Sequence, residues 1–335
     1  MTGVSPSTYR AMVLRHRAGP LVAEVRPVPE PQAHQVLLQV LACAVCRTDL
    51  HVVDGELGRG VLPVVPGHQV IGRVVAAGAN SALSIGERVG VPWLGFACGS
   101  CEMCRAGREN LCPNARFTGC DVDGGFAELV IADGRFCLRL PDGYTDTEAA
   151  PLLCAGLIGY RALRMAGEEP RRLGLYGFGS AAHLIVQVAR RRGADVYAFT
   201  RAGDHAGQEF ALRMGAVWAG DSTGPSPEPL DAAIIFAPAG ELVPLALGAL
   251  RPGGTVVCAG IHMSDIPAFP YALLWEERSI RSVANLTRAD GADFMRVAAE
   301  ARLDVETEVL PLGEAGRALE LVRTGRVHGT AVLVP

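Results

Sequence analysis

Four thiols restrict the fold of this chain more than any other feature: Cys98, Cys101, Cys104 and, eight positions after Cys104, Cys112. Two short cysteine spacings and a fourth thiol in a Gly-containing lobe can close a tetrahedral all-sulfur shell around Zn²⁺, with no coordination position left open. This is the signature of a structural zinc. The competing reading is a zinc-ribbon module for nucleic acid, but the flanking cations Arg105, Arg108 and Arg116 are few and the chain carries a net charge of −4. The ten cysteines follow an N-terminal stretch, residues 1–10, with no apolar h-region. In a chain without an export signal, they point to metal or redox chemistry rather than to a disulfide framework.

A second donor set lies in Cys46-Arg47-Thr48-Asp49-Leu50-His51 and Gly67-His68-Gln69, with Cys154 far downstream in Leu153-Cys154-Ala155-Gly156. Thiolate sulfur and imidazole nitrogen suit Zn²⁺, and three protein ligands leave a fourth position open, as a Lewis acid requires. Any one of these residues alone is more often a packed core side chain. Their combination with the proton-handling groups Thr48 and His51, and with a second metal signature, favours chemistry. Lysine is absent, so all 31 basic residues are arginine. That excludes Schiff-base lysines, the P-loop lysine and any dehydrogenase whose acid is tuned by a neighbouring lysine, so something else must polarise a substrate, and a metal fits.

A length of 335 residues with 49% apolar content suggests two domains, each with its own core. The longest apolar run, residues 149–160, is shorter than the ~20 residues of a membrane helix. A soluble cytoplasmic protein is expected, without nucleic-acid or membrane partners. Short apolar runs at 35–40, 70–75 and 86–91, separated by Gly and Pro, predict strands of a small barrel or sandwich. Cys46 to His51 leave a strand and open a short helix, and His68 sits in the loop before the next strand. A helix over 148–166 is expected to carry Cys154. From Arg172 onward strands (173–176, 195–199, 216–218, 232–236, 255–258, 280–284) alternate with helices (181–192, 204–214, 241–250). This pattern predicts an α/β, doubly wound parallel sheet. Helices at 293–302 and 314–324 and a strand at 330–334 close the chain.

The turn Gly177-Phe178-Gly179-Ser180-Ala181-Ala182 follows a predicted strand and opens a helix. Gly177 permits a tight turn, Gly179 lets the backbone approach a pyrophosphate, and Ala182 stands where the dinucleotide fingerprint tolerates Ala. An ordinary βα turn is the bland alternative. The next strand ends in Thr200-Arg201 rather than in a carboxylate that grips ribose hydroxyls. This favours NADP over NAD, with Arg201 placed to pair with a 2′-phosphate. The alternative for Arg201 is a solvated strand end.

Taken together, these motifs resemble the zinc-dependent medium-chain alcohol dehydrogenases, over residues 12–334. The resemblance implies a GroES-like β-barrel catalytic domain, 1–155 completed by 286–335, and a Rossmann coenzyme domain, 156–285. It implies one catalytic zinc on Cys46, His68 and Cys154 and one structural zinc on Cys98, Cys101, Cys104 and Cys112. Thr48 and His51 would form the proton relay, Asp49 would hold the histidine ligand, Arg47 would contact pyrophosphate, and Leu57 and Trp93 would line the alcohol pocket. Three positions depart from the family pattern: Gln69 replaces a glutamate, Ile158 a threonine, and Thr200 the acidic coenzyme residue. The expected activity is reversible hydride transfer between a small primary alcohol or aldehyde and NAD(P). A polyol or secondary-alcohol dehydrogenase, or a catalytically silent zinc-binding relative, are the alternatives. A homo-oligomer, dimer or tetramer, is expected.

Overall fold

The computed structural model describes residues 7–327 and 329–335. Residues 1–6 of the stretch read for an export signal lie outside the described residues. The chain divides into two compact units. The first comprises the chain up to Cys154, Thr287–Ala299, and the stretch from Glu306 onward.

The first unit is built on the strand Gln35–Val45, buried along almost its whole length, as expected of a strand covered on both faces. It pairs antiparallel with Gln69–Ala77, with Leu129–Asp133 at one end, and with the C-terminal strand Thr330–Val334 at the other. Thr307–Pro311, Arg88–Val91 and Leu138–Arg139 complete a seven-stranded sheet. Val36, Leu38, Val70, Val89, Phe126 and Leu333 belong to its core. The register pairs Ala44 with Gln69. In an antiparallel pair, the residue leaving one strand lies beside the residue entering the other. Cys46 and His68 therefore face each other although 22 positions separate them. Gly67, just before His68, has φ +97°, and a Cβ there would lie 2.8 Å from Phe126 N and 2.9 Å from Cys43 Sγ. Only glycine fits that approach.

The helix expected over 148–166 is broken. Asp146–Ala149 gives way to a 3₁₀ turn, Ala150–Leu153, and a helix resumes at Ala155–Met165. Cys154 stands at the break with φ −137° and ψ −65°. Pro151 lacks the N–H that a continuous helix needs and clashes with the preceding turn. Leu152 and Leu153 are fully buried. A Cβ on Gly90 would lie 2.5 Å from Leu153 Cδ2, so a glycine in the neighbouring strand lets the turn approach the sheet.

The second unit comprises Ala155–Leu286 and Glu300–Val305. Its six strands run parallel in the order Trp218–Asp221, Asp195–Thr200, Arg172–Tyr176, Leu230–Ile235, Leu250–Cys258, Ser279–Ser282. The first strand in sequence, Arg172–Tyr176, lies mid-sheet with later strands added on either side, which is the doubly wound order with its switch point beside that strand. Helices Ser180–Arg191, His205–Arg213 and Leu242–Ala249 supply crossovers. The strand expected at 216–218 begins only at Trp218, because Gly215, at φ +112°, first has to turn the chain out of the preceding helix.

Gly90→Ala is expected to destabilise the first unit by about 1–3 kcal/mol through overpacking against Leu153. Gly313→Ala, where an added Cβ meets nothing within 4 Å, should be near neutral. Denaturant melts of both variants check this; equal midpoints would contradict the packing account.

Candidate active site and metal centres

Cys46 caps the helix Arg47–Asp54, its sulfur accepting from Thr48 N at 3.4 Å. Asp49 closes the capping box, its Oδ2 accepting from Cys46 N at 2.9 Å. Its other oxygen, Oδ1, accepts from His68 Nδ1 at 2.8 Å. A carboxylate only accepts, so Nδ1 carries a proton and Nε2 is turned towards Cys46 Sγ, 3.5 Å away. With Cys154, these donor atoms all lie within 4.8 Å of one another. A tetrahedral zinc with ordinary Zn–S and Zn–N bonds needs an S···N edge of about 3.6 Å. The donor set fits the ion.

Electrostatics agree. The Cys46 thiol is held well below its ordinary range, by the hydrogen bond with Cys154 first, then by the His68 charge and the Thr48 N–H, against burial. Cys154 is pushed well above, by Cys46 and by burial. Burial pulls His68 down, but Asp49 and Cys46 outweigh it and hold the imidazole up to about 10. These shifts place opposite charges side by side in the cluster, and a divalent cation binds such donors by displacing their protons.

The second thiol cluster also fits a metal. Cys112 Sγ and Cys104 Sγ lie 3.5 Å and 3.9 Å from Cys98 Sγ, bracketing the edge of about 3.8 Å that a tetrahedron of sulfurs around zinc requires. Backbone N–H groups of Ser100 and Cys101 aimed at Cys98 hold its thiol down to about 5. All ten cysteines are free thiols. Cys112 packs in a cluster with Trp93, Leu94, Phe117 and Phe136, against which Leu57, Cys98, Cys101 and Cys104 also pack. Trp93 stacks on Phe117 and meets His68 edge-on, each at 5.0 Å between ring centroids. One indole thereby touches both the core of the four-cysteine lobe and His68 of the three-donor cluster.

Thr48 and His51, three residues apart on the helix and both buried, share a face. His51 Nδ1 bonds Glu56 Oε2 at 2.5 Å. No motif marks Glu56 in the sequence; its signal is Gly55, whose left-handed φ of 79° ends the helix and turns the chain back. Arg47 is exposed at the first position of that helix.

In the second unit Gly177, at φ +88°, makes the tight turn against Ala237. Gly179 caps the helix with no side-chain hydrogen bond, and a Cβ added to it would meet nothing within 4 Å. Open space in front of a helix N-terminus is what a pyrophosphate needs. Ser180, Ala181 and Ala182 form the first turn, with Ala182 fully buried. Phe178 meets Phe210 edge-on at 5.7 Å. Thr200 is buried and its hydroxyl accepts from Gln208 Nε2 at 3.2 Å. Arg201 is exposed, and its guanidinium has no ion pair among the described residues.

A doubly wound sheet with a dinucleotide turn, in one chain with a three-donor cluster and a four-cysteine cluster that each fit zinc, has the parts of a zinc-dependent dehydrogenase. Residues 32–142 match the alcohol dehydrogenase GroES-like domain family. The chain is 48% identical to the probable alcohol dehydrogenase AdhA of Mycobacterium tuberculosis, covering 94% of this chain and 93% of that one. It is 32% identical to an alcohol dehydrogenase of Geobacillus stearothermophilus, over 92% and 95% of the two chains. A cinnamyl alcohol dehydrogenase structure from Sorghum bicolor superposes with a TM-score of 0.89 at 28% identity, over 98% of this chain and 97% of that one. The chain belongs to the zinc-dependent medium-chain alcohol dehydrogenase family and is an NAD(P)-dependent alcohol dehydrogenase.

Asp49→Asn keeps the shape but weakens the hold on His68. It should lower metal affinity by about 10–100-fold, read by chelator competition with metal content followed by elemental analysis. Unchanged retention would remove Asp49 from the site's design.

Proposed function

We propose that the enzyme interconverts small primary alcohols and aldehydes with NADP(H) as its preferred coenzyme. In this reading Cys46, His68 and Cys154 hold a catalytic zinc, and Cys98, Cys101, Cys104 and Cys112 hold a structural one. The first unit is the catalytic domain and the second the coenzyme domain. The protein works as a cytoplasmic homo-oligomer, a dimer or tetramer. The observation that carries the reading is the convergence of Cys46, His68 and Cys154 on one point, three donors where a structural site has four.

Zinc, when bound, supplies the Lewis acidity that makes an alcohol hydroxyl more acidic, and the nicotinamide accepts the hydride. The protein's own groups do the rest. Asp49 fixes the ring of His68, so the ligand nitrogen is presented without loss of rotamer freedom. Thr48, whose backbone is tied to the Cys46 sulfur, takes the hydroxyl proton, and His51 delivers it to water. Trp93, packed against His68, and Leu57 narrow the space for substrate and favour unbranched carbinols. Arg47 and the turn from Gly177 to Ala182 bind pyrophosphate. The Thr200-Arg201 strand end meets a 2′-phosphate with a cation that has no ion pair among the described residues.

Thr48→Ala should reduce turnover on ethanol-to-hexanol substrates by at least about 100-fold. His51→Gln should be milder and recover as pH rises, because hydroxide replaces the imidazole. Steady-state kinetics across pH check both, and wild-type turnover in Thr48→Ala would overturn the relay. Arg201→Ala should raise the Kd for NADPH by about 10-fold or more and leave that for NADH unchanged, as measured by coenzyme fluorescence titration. A tighter Kd for NADH than for NADPH in the wild type would overturn the coenzyme assignment.

A further inference from the structure

Four side chains of the first unit form one chain of ring contacts that ends on His68. It starts at Arg59, whose Cζ lies over the Phe117 ring, 4.3 Å from its centroid. Phe117 stacks on Trp93 at 5.0 Å and 7°, and Trp93 meets the His68 ring edge-on at 5.0 Å and 77°. Both aromatic side chains are buried, whereas the Arg59 side chain is 43% exposed. Arginine suits the outer place because its flat group stacks on a ring and still donates hydrogen bonds in its own plane.

The guanidinium is held where it is. Its Nε and Nη2 donate to the two oxygens of Asp121 at 3.3 Å and 2.6 Å, and Nη2 also donates to the Ala115 carbonyl at 3.0 Å. Two-point pairing with a carboxylate is the geometry in which a partly exposed ion pair keeps its place. Asp121 Oδ2 accepts from Phe117 N as well, at 2.9 Å. One carboxylate thus fixes both the cation and the backbone of the ring it covers. The Arg59 loop is tied to the same segment, since Val61 N donates to the Cys120 carbonyl at 3.0 Å. Leu57, two positions before Arg59, packs on the cluster that contains Trp93 and Phe117.

We propose that Arg59 is a positioning residue that sets substrate width: it clamps Phe117 and, through that ring, holds the Trp93 indole where only an unbranched carbinol fits. Without the guanidinium, Phe117 is free to tilt and the indole stacked on it follows. The space beside His68 then admits a branch on the carbon next to the carbinol. The proposal rests on the assignment of Trp93 to the alcohol pocket above.

The test compares 1-butanol with 2-methyl-1-propanol, isomeric primary alcohols that differ only in shape, by steady-state kinetics of the zinc-loaded enzyme. Arg59→Ala should raise kcat/KM for the branched alcohol relative to the straight one by about fivefold or more, since one methylene in a fitted pocket is worth about 10–200-fold. The change should fall mainly in KM, with kcat on 1-butanol within about twofold of wild type. Arg59→Lys keeps the charge but not the flat fork, and should move the ratio the same way by about twofold; it carries the test if the alanine variant does not fold. In a Phe117→Leu background Arg59→Ala should leave the ratio within about twofold, because its route to Trp93 is gone. The indole N–H resonance of Trp93, assigned with Trp93→Phe, should shift in Arg59→Ala without substrate present. A loss by the same factor on both alcohols marks a purely structural role and overturns the proposal. If Trp93→Ala changes the ratio while the Arg59 variants do not, the proposal fails and the pocket assignment stands. If Trp93→Ala also leaves the ratio unchanged, the two fall together.

Discussion

Two hydrogen bonds accepted by one carboxylate tie together Cys46 and His68, two members of the three-donor cluster. Asp49 accepts from Cys46 N with one oxygen and from His68 Nδ1 with the other. It thereby joins the cap of a helix, the end of one strand and the entry to the next. All three are needed, since Cys46 belongs to the first and His68 to the last. A buried carboxylate is costly unless its oxygens are satisfied. Burial pushes Asp49 above its ordinary range even here, with both bonds made. The same two bonds fix the ring of His68 and the backbone of Cys46 in place.

The scaffold around this carboxylate places donors by packing rather than by loop length. Antiparallel register brings Cys46 and His68 together, and the C-terminal strand pairs Ala331 with Val45 immediately before Cys46. Gly67 and Gly90 are the close approaches that make this possible: one lets the His68 loop pass Phe126, the other seats Leu153 ahead of Cys154. The four-cysteine lobe, in contrast, draws its geometry from its sulfurs and their N–H partners. Its core touches His68 of the first cluster through the Trp93 ring.

Much of this was legible in the residue order, for a physical reason. Zinc accepts few donor types at few spacings, so Cys46, His68 and the four clustered cysteines stand out from ordinary core thiols. The alternation after Arg172 likewise reads as a doubly wound sheet, because strand and helix periods differ. What stayed hidden depends on tertiary contacts. Pro151 and the burial of Leu152 and Leu153 break a segment whose apolar pattern reads as one helix. The hydroxyl of Thr200 accepts from Gln208, which also bonds Asp221 of the adjacent strand, a network that no spacing in the sequence shows. Glu56 carries no motif; only the reversal at Gly55 brings it back to His51.

The central claim is that the two sulfur-bearing centres differ in kind, one closed by four thiolates and one held by two thiolates and an imidazole with a position open. Zinc-edge X-ray absorption on the fully loaded enzyme tests this directly. The account predicts two zinc ions per chain with, averaged over both, about three sulfur neighbours near 2.3 Å and about one nitrogen or oxygen neighbour near 2.0 Å. A single zinc surrounded by sulfur alone would contradict it.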